Sequence, residues 1–561
     1  MLKRVFTLFI LVAILGVATN ASERTDAEMR TVAARYLLSN ASRGTAAQKL
    51  NAVVTDPQLA VYAVEGNGFV VVSRDDQFPA VLGVSDSEFD TDNLAPGFSW
   101  WLKEVGLSMQ RRLDANDWYV KATPSAVVES FITTRWDQGA PYNLKCPKIA
   151  TSNCPTGCVA TAAAQVMKYY NYPAQSQGSV SYTKNSMPKN GTLNSVYDWA
   201  NMMDAYTSRQ TTLTPTTEAV ATLMFDAGAA SSMSYTGNYG SANMMNCAYG
   251  MTYNFKYDSL SLRCLPRALY TDLEWTDMVY NELAKKQPVL YSGTPLDGSA
   301  GHAFVLDGVD AEGKVHVNWG WSGRCDGYYN LFLLQPGDEA AQHGDYSNYN
   351  QMIIGFNPTE TPAEGIEEKS LWLSDSTYWF SIDKTDSLML TARGIYNYNY
   401  RSFYGQLFVR MENVNGNDED SWDIYLYDTE DDEDEDATPI QPQYGFVFNI
   451  DDRNEVGSVA FFDLKDDRVK PGTYIVSLVT KAKHEIHPSP VRCVGGRIFR
   501  SKLTKTADGK LFIEDYTPTG ISHISTSKPV DDKNTYDMNG RPVSSVKKGV
   551  YIQNGRKVVI K

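Results

Sequence analysis

Cys158 stands where a helix is expected to begin, in the segment PTGCVATAAAQVMKYY at residues 155–170. Pro155 and Thr156 are residue types that open helices. A thiol there meets backbone N–H groups the helix leaves unbonded and the positive end of its dipole, and both stabilise a thiolate. A nucleophile is one reading of such a cysteine; a small buried hydrophobe is the other, and this stretch alone does not separate them. Cys154 lies four residues earlier. A zinc site on CPTGC would need two further ligands at suitable spacing, which the chain does not offer.

Thiolate chemistry needs a base, and the chain has six histidines. His484, His487 and His523 belong to the C-terminal part, away from Cys158. His302 heads the strand-like run AFVLDGV behind Gly301, which leaves room for another chain to approach. His316, in KVHVNW, alternates onto the face of Asn318. A cysteine–histidine pair also needs a group that orients the ring. Asn318 can reach it if GHAFVLDGVD and KVHVNWGW, separated by the turn Ala311-Glu312-Gly313, are neighbours. Trp319 and Trp321 would then shield that bond from water. Two donors are expected for an oxyanion: the N–H of Cys158 and the amide of Gln138 in RWDQGAPYN.

The elements that must position these residues follow from pattern. The chain of 561 residues is too long for one core, so two to four domains are expected. Residues 22 to about 121 read as a small α+β unit, with a helix from Asp26 to Leu38, strands in QLAVYAVEG and NGFVVVSRDD, and a helix over 98–113. From 122 to 358 helical patterns come first (PTGC onward, TTEAVATLMFDAG, EWTDMVYNELAKKQ) and strands follow, an α+β order. From 370 to 515 seven short alternating runs, YWFSID to GTYIVSLVTK, predict a β-sandwich. The acidic run at 428–439 lacks the spacing of a calcium loop and is expected to be solvated. Residues 517–534 form a linker, and 535–561 carry two hairpin signals, Asn539-Gly540 and Asn554-Gly555.

A net charge of −15 argues against nucleic acid or anionic lipid as a general partner. Lys3 and Arg4, the apolar run Val5 to Ala18 and the small residues to Ala21 have the layout of a secretory signal, residues 1–21. The run is short for a membrane span, so export with cleavage after Ala21 is expected. Seven cysteines are too few for a disulfide scaffold, and their odd number leaves at least one thiol unpaired.

Four segments, DQGAPYN, TGCVATAAAQVMKYYNYP, GHAFVLDG and HVNWGWSG, occur in the order seen in the streptopain (C10) family of secreted cysteine peptidases, and the chain resembles that family. The stretch NGFVVVSRDDQFPAVLGVS resembles the family's pro-domain. The resemblance implies a papain-like α+β catalytic domain with a helical half and an antiparallel sheet half, no cofactor, and a precursor whose own pro-domain fills the cleft. It further implies Cys158 as nucleophile, His302 as general base, Gln138 in the oxyanion hole, Asn318 orienting His302, and Trp319 over that bond. Ser241 and Gly301 would line a cleft for protein and peptide substrates, with a hydrophobic preference two residues before the scissile bond. One departure is visible: the glutamine of a VYYQG-like strand is Ser292 here, in VLYSG. The tail resembles C-terminal segments that deliver exported proteins to outer-membrane secretion machinery; a hairpin packed on the sandwich is the other reading. A silent surface adhesin and a peptidase inhibitor remain alternatives, set against the retained Cys158, His302, Asn318, Trp319 and Gln138 and against the full catalytic-size domain.

Overall fold

A computed structural model describes residues 23–39, 50–115, 122–208, 210–293, 301–331 and 350–359, with shorter stretches between 371 and 560. The expected signal segment, most of the acidic run, the 517–534 linker and both tail turns lie outside the described residues.

In the N-terminal unit, helix α1 (Asp26–Ser39) is followed by strands β1 (Leu50–Thr55), β2 (Leu59–Val64), β3 (Phe69–Ser73) and β4 (Val81–Ser85), and then by helix α2 (Pro96–Ala115). Every residue of β2 and β3 is buried, because both faces are covered. Met29, Ala33 and Leu37 of α1 pack on Tyr62, Val64, Val70 and Val72. Phe98, Trp101, Val105 and Met109 of α2 pack on the alternate set, Val61, Ala63, Phe69 and Val71. Period-2 and period-3.6 patterns thus meet as the sequence requires.

The next unit has a helical side, α3 (Cys158–Tyr170), α4 (Pro215–Ala230) and α5 (Met244–Tyr253), and then strand β5 (Arg263–Pro266) and helix α6 (Asp272–Ala284). Strands β6 (Val289–Gly293), β7 (His302–Val309), β8 (Val315–Asn318), β9 (Gly327–Tyr329) and β10 (Gln351–Ile354) complete it. α4 and α6 are each stopped at the front by a capping box, Thr214 with Thr217 and Thr271 with Glu274. One face of the sheet, with Leu290, Ala303, Val305 and Ile353, packs on α3 through Val159, Ala160 and Ala163. The other, with Tyr291, Phe304, Leu306 and Met352, packs on α6 and on α2 of the N-terminal unit.

The two units share one antiparallel-paired sheet of ten strands, in the order β1-β2-β3-β4-β9-β8-β7-β6-β10-β5. The join is β4 against β9, with Ser85 opposite Gly327 and Gly83 opposite Tyr329.

The C-terminal third is β-rich. Strands Gly405–Asn413, Trp422–Asp428, Gly472–Ala482, Arg500–Lys505 and Leu511–Asp515 lie in one sheet, and two three-stranded sheets stand beside it. Leu388, Leu407, Val476 and Leu503 join them in a common core. This region is fixed to the unit before it: Arg492 pairs with Glu274 at 2.7 Å, and the Tyr400 hydroxyl donates to the Ser259 and Leu262 carbonyls at 3.1 Å. Trp372 meets Tyr270 edge-on. In the tail, Thr535–Tyr536, Gly549–Gln553 and Arg556–Ile560 pair as three antiparallel strands. No described helix is long and apolar enough to cross a membrane.

Candidate active site

The start of α3 is set by its neighbours. Gly157 caps it with φ +87°, a conformation that L side chains rarely adopt, and a Cβ there would meet Met233 Cε at 2.7 Å. The Thr156 N–H donates to the Gln138 carbonyl at 3.1 Å, which ties the DQGAPYN segment to the helix start. Thr156 and Thr161 share a hydroxyl bond of 2.8 Å beneath it. Cys158 is therefore the first helical residue, half-buried, with the N–H groups of Ala303, Val159 and Cys158 itself facing its sulfur.

One cleft is lined by Cys158, Gln138, Ser241, Gly301 and His302 together. Five of the seven residues singled out from the sequence thus converge, from the helix side and the sheet side. Asn318 and Trp319 lie behind, buried. The Asn318 amide donates to the Thr134 carbonyl at 2.7 Å and accepts from Gln165 Nε2 at 3.1 Å and from the Gly320 N–H at 3.0 Å. Its carboxamide is thereby held from three sides, and among the described residues no hydrogen bond joins it to His302. Trp319 donates through its indole N–H to the Cys325 carbonyl at 2.9 Å and is caged by Phe304 and Tyr329.

The charge state of the pair follows from burial. Burial pushes the Cys158 thiol up, partly opposed by the three N–H groups, and it brings the His302 imidazole down to about 4. At neutral pH both groups are uncharged, so the two do not stand as an ion pair here. The cover comes from the first turn of α2. Pro96 lines the cleft, and a Cβ on Gly97 would lie 2.7 Å from the Trp319 ring and 3.6 Å from His302 Cβ. Phe98 meets Trp319 edge-on at 6.3 Å.

Residues 136–329 match the model of the peptidase C10 family, and residues 18–109 match that of the Spi protease inhibitor family. Streptopain of Streptococcus pyogenes is 30% identical over 374 residues, covering 61% of this chain and 92% of streptopain. The chain belongs to the C10 family. The thiol protease/hemagglutinin PrtT of Porphyromonas gingivalis is 33% identical over 330 residues, which is 54% of this chain and 37% of that protein. A solved prointerpain A fragment from Prevotella intermedia superposes with a TM-score of 0.50 at 36% identity, covering 56% of this chain and all (100%) of that one. Membership makes this a secreted cysteine peptidase made with a pro-domain, a mixed α/β catalytic core flanked by further β-rich regions.

Two supports of this C10 site do not follow from the four motifs. Gln165 is buried within α3 and bridges Thr134 Oγ1, at 2.9 Å, to Asn318. Asp307, fully buried in β7, accepts from the N–H groups of Phe131 and Ile132 at 3.1 and 2.7 Å and bonds His316 Nδ1 at 2.5 Å. Sequence reasoning passed over both, and the signal that could have found them is a lone polar residue inside an apolar run, AAAQVM and FVLDGV, where an unpaired polar group is costly. His316 accordingly packs as a partner of Asp307 and Tyr328 and does not line the cleft.

Burial by itself would lower the His316 pKa; the Asp307 hydrogen bond and charge, with Asp326 and Asp86 behind, outweigh it and hold the ring above its ordinary value. Asp326, whose carboxylate accepts from the Trp319 N–H at 2.9 Å, is pushed up to about 7 by burial. Both shifts are upward. Each contribution to stability is complete below the group's unfolded pKa and is lost as pH rises through the folded one. His302, held down to about 4, works the other way until about pH 6.5, so the precursor is predicted to melt at progressively lower temperature as pH rises above about 6.5, with His316→Gln flattening the curve. A melting temperature that rises across that range would contradict the assignment.

Proposed function

We propose that the chain is a cysteine endopeptidase made as a zymogen, with Cys158 as nucleophile and His302 as general base and acid. The observation that carries this reading is the convergence of Cys158, His302 and Gln138 on one cleft. Once the cleft is open, His302 takes the thiol proton and the Cys158 sulfur adds to the scissile carbonyl. The Cys158 N–H and the Gln138 amide hold the oxyanion. His302 returns the proton to the departing amine, then activates the water that hydrolyses the thioester. Ser241 and Gly301 flank the peptide. Asn318 and Trp319 act as the rigid bed under the strand that carries His302, and the orienting bond from Asn318 forms on activation. The test is to treat the processed protein with an epoxide thiol inhibitor and map the adduct, which is expected on Cys158; an adduct on another cysteine alone would reject this nucleophile.

Residues 22–121 act as the inhibitory pro-domain, and the start of α2 is the wedge. The chain is cut before Val128, whose N–H already bonds the Val309 carbonyl at 2.8 Å as part of the catalytic unit. Gly97→Val is predicted to loosen the wedge, because the caged Trp319 ring cannot yield to a Cβ at 2.7 Å. Overpacking of this kind costs about 1–3 kcal/mol, so Cys158 in the uncut precursor should react with the epoxide roughly tenfold faster or more. An unchanged rate would remove Pro96 and Gly97 from latency. The β-rich region at 370–515 is read as a sandwich docked on the catalytic unit, and the paired strands of the tail as a sorting signal for outer-membrane secretion machinery.

A further inference from the structure

Gln138 lines the cleft beside Cys158, and among the described residues no hydrogen bond fixes its carboxamide. The direction of that amide is therefore set by the backbone that carries it. This backbone is held at both ends. The Gln138 carbonyl accepts from the Thr156 N–H at 3.1 Å. Its N–H donates to Asp137 Oδ1 at 2.6 Å, and the Gly139 N–H donates to the same oxygen at 3.2 Å.

The second carboxylate oxygen reaches out of this turn. Asp137 Oδ2 accepts from the Ser322 hydroxyl at 2.5 Å, and the Ser322 N–H donates to the Trp136 carbonyl at 3.0 Å. Ser322 belongs to the loop after β8, whose Trp321 lines the same cleft. Gly320, Ser322 and Gly323 all have positive φ, +66°, +56° and +79°. A left-handed residue other than glycine stores strain, and it persists only where its surroundings impose it. The bonds to Trp136 and Asp137 do so for Ser322. Asp137 is also the only carboxylate lining the cleft among the described residues. A negative charge beside a site that must hold an oxyanion is unfavourable in itself. Its worth there is geometric.

Oxyanion donors work only where the charge will develop, and a displacement of about 1 Å can cost on the order of a hundredfold in rate. We infer that Asp137 is a positioning residue for this reaction, an inference that rests on the peptidase reading above. By joining the Gln138–Gly139 turn to Ser322, it sets the Gln138 amide against the Cys158 N–H. It acts through Gln138 and not on the reacting atoms. Asparagine at this position has an oxygen for the two N–H groups and an amide N–H that can donate to the Ser322 hydroxyl. The geometry is then kept and the charge removed. Alanine loses all three bonds.

The test compares the parent with Asp137→Ala, Asp137→Asn and Ser322→Ala, each processed in trans by tagged parent enzyme that is then removed. Three quantities are read. They are peptide hydrolysis, inhibition by a peptide aldehyde, whose hemithioacetal oxygen takes the oxyanion's place, and alkylation of Cys158 by iodoacetamide, which forms no oxyanion. Asp137→Ala is expected to lower kcat by roughly 10- to 100-fold with KM within about twofold, and to weaken the aldehyde by a similar factor. Alkylation should stay within about twofold of the parent, and Asp137→Asn should recover most of kcat. Ser322→Ala, which spares the turn, should lose roughly three- to tenfold in kcat and in aldehyde affinity. Alkylation that slows together with hydrolysis overturns the inference. So does an Asp137→Asn enzyme as impaired as Asp137→Ala, or parental aldehyde affinity in Asp137→Ala. If Asp137→Ala does not fold, parental aldehyde affinity in Ser322→Ala overturns it. Any of these results beside an active parent removes this inference alone. A parent that neither cuts peptide nor is alkylated at Cys158 removes the peptidase reading and this inference with it.

Discussion

Cys158→Ala is expected to lower peptide hydrolysis by roughly four orders of magnitude or more, because the covalent step has no other thiol in the cleft to fall back on. Cys154 and Cys146 are buried in the core, and burial pushes the Cys146 thiol up to about 12. Cys247, Cys264, Cys325 and Cys493 are also buried. The loss should extend to self-processing, so the purified variant stays at precursor length. Its melting temperature should match that of the parent, since one half-buried sulfur is removed and the helix cap at Gly157 is untouched. His302→Ala should give a loss of the same order, while Cys154→Ala should keep hydrolysis. A folded Cys158→Ala protein that digests casein at the parental rate would sink the mechanism.

Asp307→Ala should have the largest effect on stability, about 3–5 kcal/mol. The carboxylate is fully buried and serves three partners at once: the N–H groups of Phe131 and Ile132 and the ring of His316. Deleting it strands the Ile132 N–H and an imidazole, while the Phe131 N–H keeps only its 3.2 Å bond to the Asp307 carbonyl, and a stranded buried donor is worse than one never buried. The segment around Phe131 would be held to β7 by its backbone bonds alone, and the head of β7 carries His302. Urea unfolding followed by near-UV circular dichroism measures the loss, and Asp307→Asn, which keeps an acceptor for one N–H, should lose less. A change under about 1 kcal/mol in Asp307→Ala would show that the network adds little.

Much of the catalytic unit was legible because its signals are local. The helix after PTGC, the hairpin of β7 and β8, and the presence of Cys158 and His302 in one cleft all rest on short motifs and on alternation. The helix α2 was expected over 98–113 and spans Pro96–Ala115, and the two residues added at its front are the ones that touch the site. α5 carried little signal: MMNCAYGMTY mixes Gly, Asn and Thr with apolar residues, and its helix follows from packing more than from propensity. The contacts of Asn318 were not legible, since its spacing from His302 says nothing of Gln165 or Thr134.

The shared ten-stranded sheet separates two events that are easily taken for one. A protease that severs the connection before Val128 breaks one covalent link, but the ladder between β4 and β9 is untouched by that cut. The excised fragment therefore behaves as a bound ligand with its own dissociation constant. Shortened bands on a gel should precede the onset of turnover, and dilution should quicken that onset. Departure also strips the partner strand from Gly327–Tyr329, so the liberated enzyme has a raw border of backbone donors and acceptors where it was formerly seamless.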